Sequence, residues 1–125
     1  MSDLSRTTNT APAAQHTDDT PVRFGVIGAG FIARWFAEAV SQEPAAQIVA
    51  VTSAHRERAA AFAQEHGISH AHVSLEEMLA AHGPDSEAPI DVVYVGSPNS
   101  LHAEHTIAAL EAGFHVLVEK PFALT

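Results

Sequence analysis

The sequence predicts an α/β fold: a doubly wound parallel sheet in three αβα layers. Three observations carry the expectation. Short β-rich runs alternate with helix-length amphipathic runs from Val22 onward. The run Asp91-Val92-Val93-Tyr94-Val95 is apolar on both alternations, as a strand covered by helices on both faces must be. A glycine-rich run, Gly28-Ala29-Gly30-Phe31-Ile32-Ala33, stands between the first strand and the first helix, where a parallel sheet makes its ligand-binding turn.

The first strand is expected over 22–27. A helix over 30–41 follows, with Ala33, Phe36, Ala37 and Val40 at i, i+3, i+4 and i+7 forming a stripe that lies on a sheet. The second strand is placed at 48–53 and the next helix at 56–66, with Ala59, Phe62 and Ala63 inward. A short third strand at 69–73 leads to Ser74-Leu75-Glu76-Glu77, where Ser and Glu three apart make a capping box for a helix burying Leu75, Met78 and Leu79. Residues 82–89 are loop, and the fourth strand at 91–95 is expected beside the first. Asn99 is placed as the cap of a helix with Ala103, Ile107 and Leu110 inward; Gly113 ends it, and 114–118 supplies the fifth strand.

At 125 residues the chain has one domain's length, which buries roughly two-thirds of its unfolded surface around a single core. Six basic residues against fifteen acidic leave a net charge of −9, which repels phosphate backbones and anionic lipid, so neither nucleic acid nor membrane is an expected partner. Nine histidines make that charge depend on pH. The absence of cysteine excludes disulfides, thiolate metal sites and thiol nucleophiles; it permits a reducing compartment, and a cytoplasmic location is expected. Residues 1–21 are rich in Thr, Ser, Ala, Asp and Pro without an apolar run, and are expected to be a disordered tail ahead of a domain over 22–125.

In the glycine run, Gly28 makes the tight turn of a Rossmann-type sheet. Gly30 lets the amides of the first helical turn, those of Phe31 and Ile32 among them, approach a pyrophosphate, and small Ala33 lets helix and strand pack closely. The second strand ends at Ser53, where a site for NAD would usually place a carboxylate on the ribose diol. A hydroxyl there, with Arg56 or Arg58 in the next turn, suits a 2′-phosphate, so NADP is favoured and NAD possible. The same arginines also read as an exposed helix face pairing with Glu57. Ser97-Pro98-Asn99, with His102 three residues on, closes the fourth strand in the crevice where the strand order reverses. Asn99 reads as a helix cap, as a cofactor contact, or as both.

Lys120 is the single lysine among six basic residues and follows the fifth strand directly, between Glu119 and Pro121. A compact ammonium at that edge of the sheet faces the same crevice as Gly28 and Asn99.

These runs, and above all Ala112-Gly113-Phe114-His115-Val116-Leu117-Val118-Glu119-Lys120-Pro121, resemble the N-terminal domain of the Gfo/Idh/MocA oxidoreductases over residues 22–125. The resemblance implies a nicotinamide-dependent enzyme exchanging a hydride with an alcohol or carbonyl of a sugar, inositol or similar polyol. In that family the residue matching Lys120 holds the reacting oxygen, and the residues matching Gly28, Gly30, Ser53, Pro98, Asn99, His102 and Glu119 line the cofactor. Serine at the position of Ser53 with an arginine soon after is frequent in members using NADP, and Arg58 is the better match. Two departures stand out: Ala54 where many relatives have arginine, which weakens that preference, and Phe114 where they have lysine. Family members carry a second, α+β domain that completes the substrate pocket and much of the subunit contact. This chain is therefore expected to be the cofactor half of a larger homo-oligomeric enzyme and inactive alone.

Two other readings compete. A non-catalytic dinucleotide sensor would use the same fold. A metal site would use His70 and His72 on one strand face, or His102 and His105 one helical turn apart, but the pairs sit on different elements without an associated carboxylate, so no metal is expected.

Overall fold

The computed structural model describes residues 20–118; the segment through residue 19, and Glu119, Lys120 and the residues after them, lie outside the described part. Five strands and four helices alternate: β1 Val22–Ile27, α1 Phe31–Ser41, β2 Ala46–Thr52, α2 Arg56–His66, β3 His70–His72, α3 Leu75–Ala81, β4 Val92–Val95, α4 Asn99–Glu111 and β5 His115–Val118. The strands form one sheet in the order β3-β2-β1-β4-β5, every pairing parallel. The doubly wound arrangement and the pairing of β4 with β1 are as expected; boundaries move by one or two residues.

Each face of the sheet carries its own core. On one, Phe36 of α1 and Phe62 of α2 pack with Val26, Val51 and Tyr94. Phe36 stacks on the fully buried Tyr94 with ring centroids 3.8 Å apart and takes the edge of Phe24 at 5.1 Å. On the other, Met78 and Leu79 of α3 and Ala109 of α4 cover Ile27, Val93 and Val95. Val93 and Val95 face one core and Tyr94 the opposite one, which explains why β4 shows no polar alternation.

Helix α4 corrects the sequence expectation twice. Its N-cap is Pro98, whose carbonyl accepts from Leu101 N at 2.8 Å, and Asn99 is the first helical residue rather than the cap. Its inward face runs through Ala109 and His105. Ile107 and Leu110 are more than half exposed, and Ala103 is exposed too. Among the described side chains of this helix only the small Ala109 is fully buried, so the helix approaches β4 and β5 closely there, and the 3.6-residue period carries that face back to His105 and His102.

The capping box at α3 forms by half. Ser74 Oγ accepts from Glu77 N at 3.0 Å, whereas the Glu77 carboxylate stands 3.7 Å from His72 Nδ1. Arg23 and Asp91 tie the start of β1 to the entry of β4: the guanidinium donates to both carboxylate oxygens, at 3.0 and 3.2 Å, and Arg23 N donates to the same group at 2.9 Å.

His82, outside every motif read from the sequence, is buried beside β3. Its Nδ1 lies 2.7 Å from the Ala88 carbonyl oxygen and its Nε2 3.0 Å from His72 Nε2, while the His70 ring stands edge-on with centroids 4.9 Å apart. Nδ1 must donate to the carbonyl, which leaves Nε2 as acceptor from His72. Burial lowers the His82 pKa; the bond to Ala88 opposes this, and His70 and His72 add to it. The unfolded chain therefore binds a proton near the ordinary histidine value, about 6.5, before the folded one does. Stability falls as pH drops through that value, and the fall levels off below the folded pKa. Urea midpoints at pH 7.5 and 5.5 should show this decline, and His82→Gln should shrink it.

Candidate functional site

Strand order reverses between β1 and β4, because the chain leaves β1 into the layer of α1 and leaves β4 into the layer of α4. A cleft of about 890 Å³ opens there, at the carboxyl ends of β1, β2 and β4. Gly28 N donates to Thr52 O at 2.8 Å and Gly96 N to Ile27 O at 2.9 Å, so the two strand-end turns lie against one another. Gly28 has φ +106°, and a Cβ there would stand 2.8 Å from the Gly96 carbonyl oxygen. Only glycine satisfies both conditions.

Gly30 differs. It is the N-cap of α1 with φ −95°, open to any residue, and among the described residues a Cβ there would meet nothing within 4 Å. No intramolecular contact demands glycine at this position; the room lies above the first turn of α1, inside the cleft. No side chain caps that turn and no acidic residue stands in it. The amides of Phe31 and Ile32 belong to this uncapped turn, whose free N–H groups and positive dipole end suit an anion. The Phe31 side chain is 78% exposed at the cleft edge, and Ile32 lines the same wall.

At the end of β2, half-buried Ser53 lines the cleft, its Oγ accepting from His55 N at 3.3 Å. Arg58 lines the cleft as well, exposed and, among the described residues, without an ion pair; Arg56 is not part of the wall. Arg34, one turn into α1, is instead bound to Glu65 of α2 through Nη1, at 2.9 and 3.1 Å from its two oxygens.

The opposite wall comes from the turn after β4 and from α4. Ser97 is buried, Pro98 is exposed and His102 half-buried, all lining the cleft. Asn99 opens α4; its side chain is not described. Ser97 Oγ lies 2.7 Å from His105 Nδ1. His105 was read in the sequence only as half of a possible metal pair; its spacing of four from the buried Ala109 was the signal that turns it inward. Among the described residues, no group of three or more His, Asp or Glu is placed to hold a metal ion. Glu119 and Lys120 lie outside the described residues, but Val118, directly before them, pairs with Val95, two residues before Ser97.

A strand-turn-helix with one glycine imposed by the fold and a second that no described contact requires, at the switch point of a parallel sheet, has the form in which dinucleotides are bound. The sequence profile of the Gfo/Idh/MocA oxidoreductases, a family with an NAD-binding Rossmann fold, matches residues 22–125. The chain belongs to this family. It is 43% identical over 103 residues to a 1,5-anhydro-D-fructose reductase of Ensifer adhaerens, covering 82% of this chain and 29% of that protein. It is 40% identical over 102 residues to a scyllo-inositol 2-dehydrogenase (NADP(+)) of Bacillus subtilis, with the same coverage of 82% and 29%. Among solved structures, the WlbA dehydrogenase of Chromobacterium violaceum, in complex with NADH and UDP-GlcNAcA, superposes with a TM-score of 0.74 at 31% identity, over 91% of this chain and 30% of that one. The chain thus spans under a third of the length of these relatives. No helix among the described residues is long and apolar enough to cross a membrane.

The two glycines are separable by experiment. Gly28→Ala should lower unfolding stability by about 1–3 kcal/mol from the positive φ, with the clash on the Gly96 carbonyl adding to it. Gly30→Ala should leave urea stability nearly unchanged while weakening NADPH binding at least tenfold, because the methyl fills the space over the helix end. Equal binding by Gly30→Ala and the parent chain would show that the space is not the seat of a ligand.

Proposed function

We propose that this chain is the cofactor-binding domain, over residues 22–125, of an oxidoreductase that exchanges a hydride with an alcohol or carbonyl of a sugar, inositol or similar polyol. The observation that carries the reading is the open space at Gly30, among the described residues, over a helix end without a side-chain cap and beside a turn whose Gly28 the fold itself requires. The residues fit a nicotinamide dinucleotide: Gly28 and Gly30, with the amides of Phe31 and Ile32, hold the diphosphate; Ser53 and Arg58 take the adenosine ribose; Ser97, Pro98, Asn99, His102 and Glu119 border the nicotinamide end. When bound, that cofactor supplies a hydride donor or acceptor carbon.

NADP is the favoured form. The end of β2 presents a hydroxyl and an arginine with no ion-pair partner among the described residues, where a carboxylate would repel a 2′-phosphate. NAD remains the second choice, since the neighbouring Ala54 supplies no further cation.

Lys120 follows β5, whose last residue is in register with β4 beside the cleft. We assign its ammonium to the reacting oxygen, where it stabilises an alkoxide as a proton leaves or arrives. The substrate wall, the homo-oligomer and the cytoplasmic setting belong to this proposal and rest on the resemblance and on the absence of cysteine.

Fluorescence titration with NADPH and NADH tests the foundation. NADPH should bind more tightly, and Arg58→Ala should cost it about tenfold while leaving NADH unchanged, the worth of one charge-assisted contact. Folded protein that binds neither defeats the reading. In the full-length enzyme, Lys120→Ala should lower kcat on the order of a hundredfold with dinucleotide affinity retained.

A further inference from the structure

The Ser97–His105 pair is a feature of the cleft that neither the glycine turn nor the arginine at the end of β2 accounts for. Ser97 is 7% exposed at the end of β4, and its Oγ lies 2.7 Å from Nδ1 of His105 in the second turn of α4. A hydroxyl has one hydrogen, and an imidazole nitrogen is either donor or acceptor, so the ring's protonation fixes the direction of this bond. With a lone pair on Nδ1, the Ser97 O–H donates to it and the oxygen's lone pairs are left for the cleft. With Nδ1 protonated, the ring donates and the Ser97 hydrogen turns into the cleft.

We propose that His105 is a positioning residue of the cleft: through the Ser97 hydroxyl it presents an acceptor to a ligand N–H or O–H when neutral, and a donor when protonated. The inference rests on the cleft being a nicotinamide dinucleotide site, a ligand class whose carboxamide and ribose hydroxyls offer such hydrogens. Burial holds the His105 pKa below the ordinary histidine value; Glu104 on the same helix opposes this, His102 adds to it, and Glu76 at the start of α3 opposes it. The neutral ring is therefore the one present at neutral pH, and as its Nε2–H tautomer it gives the acceptor state. The change of sign falls on the acid side of the usual imidazole range.

NADPH binding measured from pH 7.5 to 5.5 tests this, with NADH alongside because it lacks the 2′-phosphate that itself titrates near pH 6. Affinity for both should fall on acidification, towards a loss of about fivefold to tenfold once the ring is fully protonated, the cost of a donor meeting a donor. His105→Gln, whose amide oxygen accepts from Ser97 at every pH, should bind as the parent does at pH 7.5 and lose the decline. Ser97→Ala should bind more weakly at pH 7.5, also without it. A decline of the same size in His105→Gln overturns the proposal while leaving the cofactor reading intact; absence of binding by folded protein at every pH defeats both. Nitrogen-15 NMR of the imidazoles gives a readout without ligand. The neutral His105 ring should be the Nε2–H tautomer, and an Nδ1–H tautomer overturns the proposal whatever the binding data.

Discussion

The close approach of two backbone turns, at Gly28 after β1 and Gly96 after β4, is the constraint on which the site depends. Adjacent parallel strands that send their chains into opposite layers must diverge at their carboxyl ends, and the divergence makes a crevice. How near the crevice the first turn of α1 comes is set by how tightly those turns pack. A Cβ at Gly28, 2.8 Å from the Gly96 carbonyl, would push β1 from β4 or tilt α1. At Gly96 a Cβ would press at 3.1 Å on the Tyr94 ring, on which Phe36 of α1 is stacked. Core and site are thus one packing problem: the ring that anchors α1 to the sheet also fixes the height of its uncapped amides over the cleft.

Much of this was legible in the sequence because the elements are locally consistent. The stripes of α1 and α2, the unbroken apolar run of β4 and the glycine run each point to one arrangement. The inward face of α4 was not legible. Its large aliphatic residues, Ile107 and Leu110, suggest an inward face, and the structure turns them out, more than half exposed. Periodicity reports which face is apolar, not what the helix lies against; a small residue, Ala109, makes the contact, and polar His105 shares its face. His82 was illegible for a different reason. It sits in a loop with no period, and its partners, Ala88 and the strand histidines, are found only when the loop folds back on β3. The lysine read as the centre of the chemistry, Lys120, follows β5 outside the described residues, so its place rests on sequence and register.

Counted as composition, nine histidines are a single reservoir of charge. The fold divides them. Burial lowers the pKa of both His82 and His105, one pinned to a carbonyl and the other to a hydroxyl. These two resist protonation in the range where an ordinary imidazole takes up a proton; His82 has both ring nitrogens bonded, and His105 has its Nδ1 on Ser97. What looked like a general acid sensitivity becomes two local hydrogen-bond orientations, one supporting the edge of the sheet and one facing the cleft.

A chain with net charge −9 is an unpromising host for an anion, yet local geometry outweighs the total. Screening at physiological salt confines each surface charge to about 8 Å, so groups in the first turn of a helix count for more than the sum over the molecule. Helices α2 and α3 carry acids in that turn, Glu57 in one and Glu76 and Glu77 in the other. The two helices that flank the switch point, α1 and α4, carry none. Arg34, the cation nearest the glycine turn along the chain, is neutralised by Glu65, while Arg58 at the end of β2 keeps its charge without a protein partner among the described residues. Among the described residues, positive potential in the cleft is therefore concentrated at two points, the amides of α1 and the guanidinium of Arg58. On the proposed reading, the diphosphate and the ribose phosphate of one NADP molecule would use both at once. A single isolated anion gains only one of the two and still meets the repulsion of the whole acidic surface.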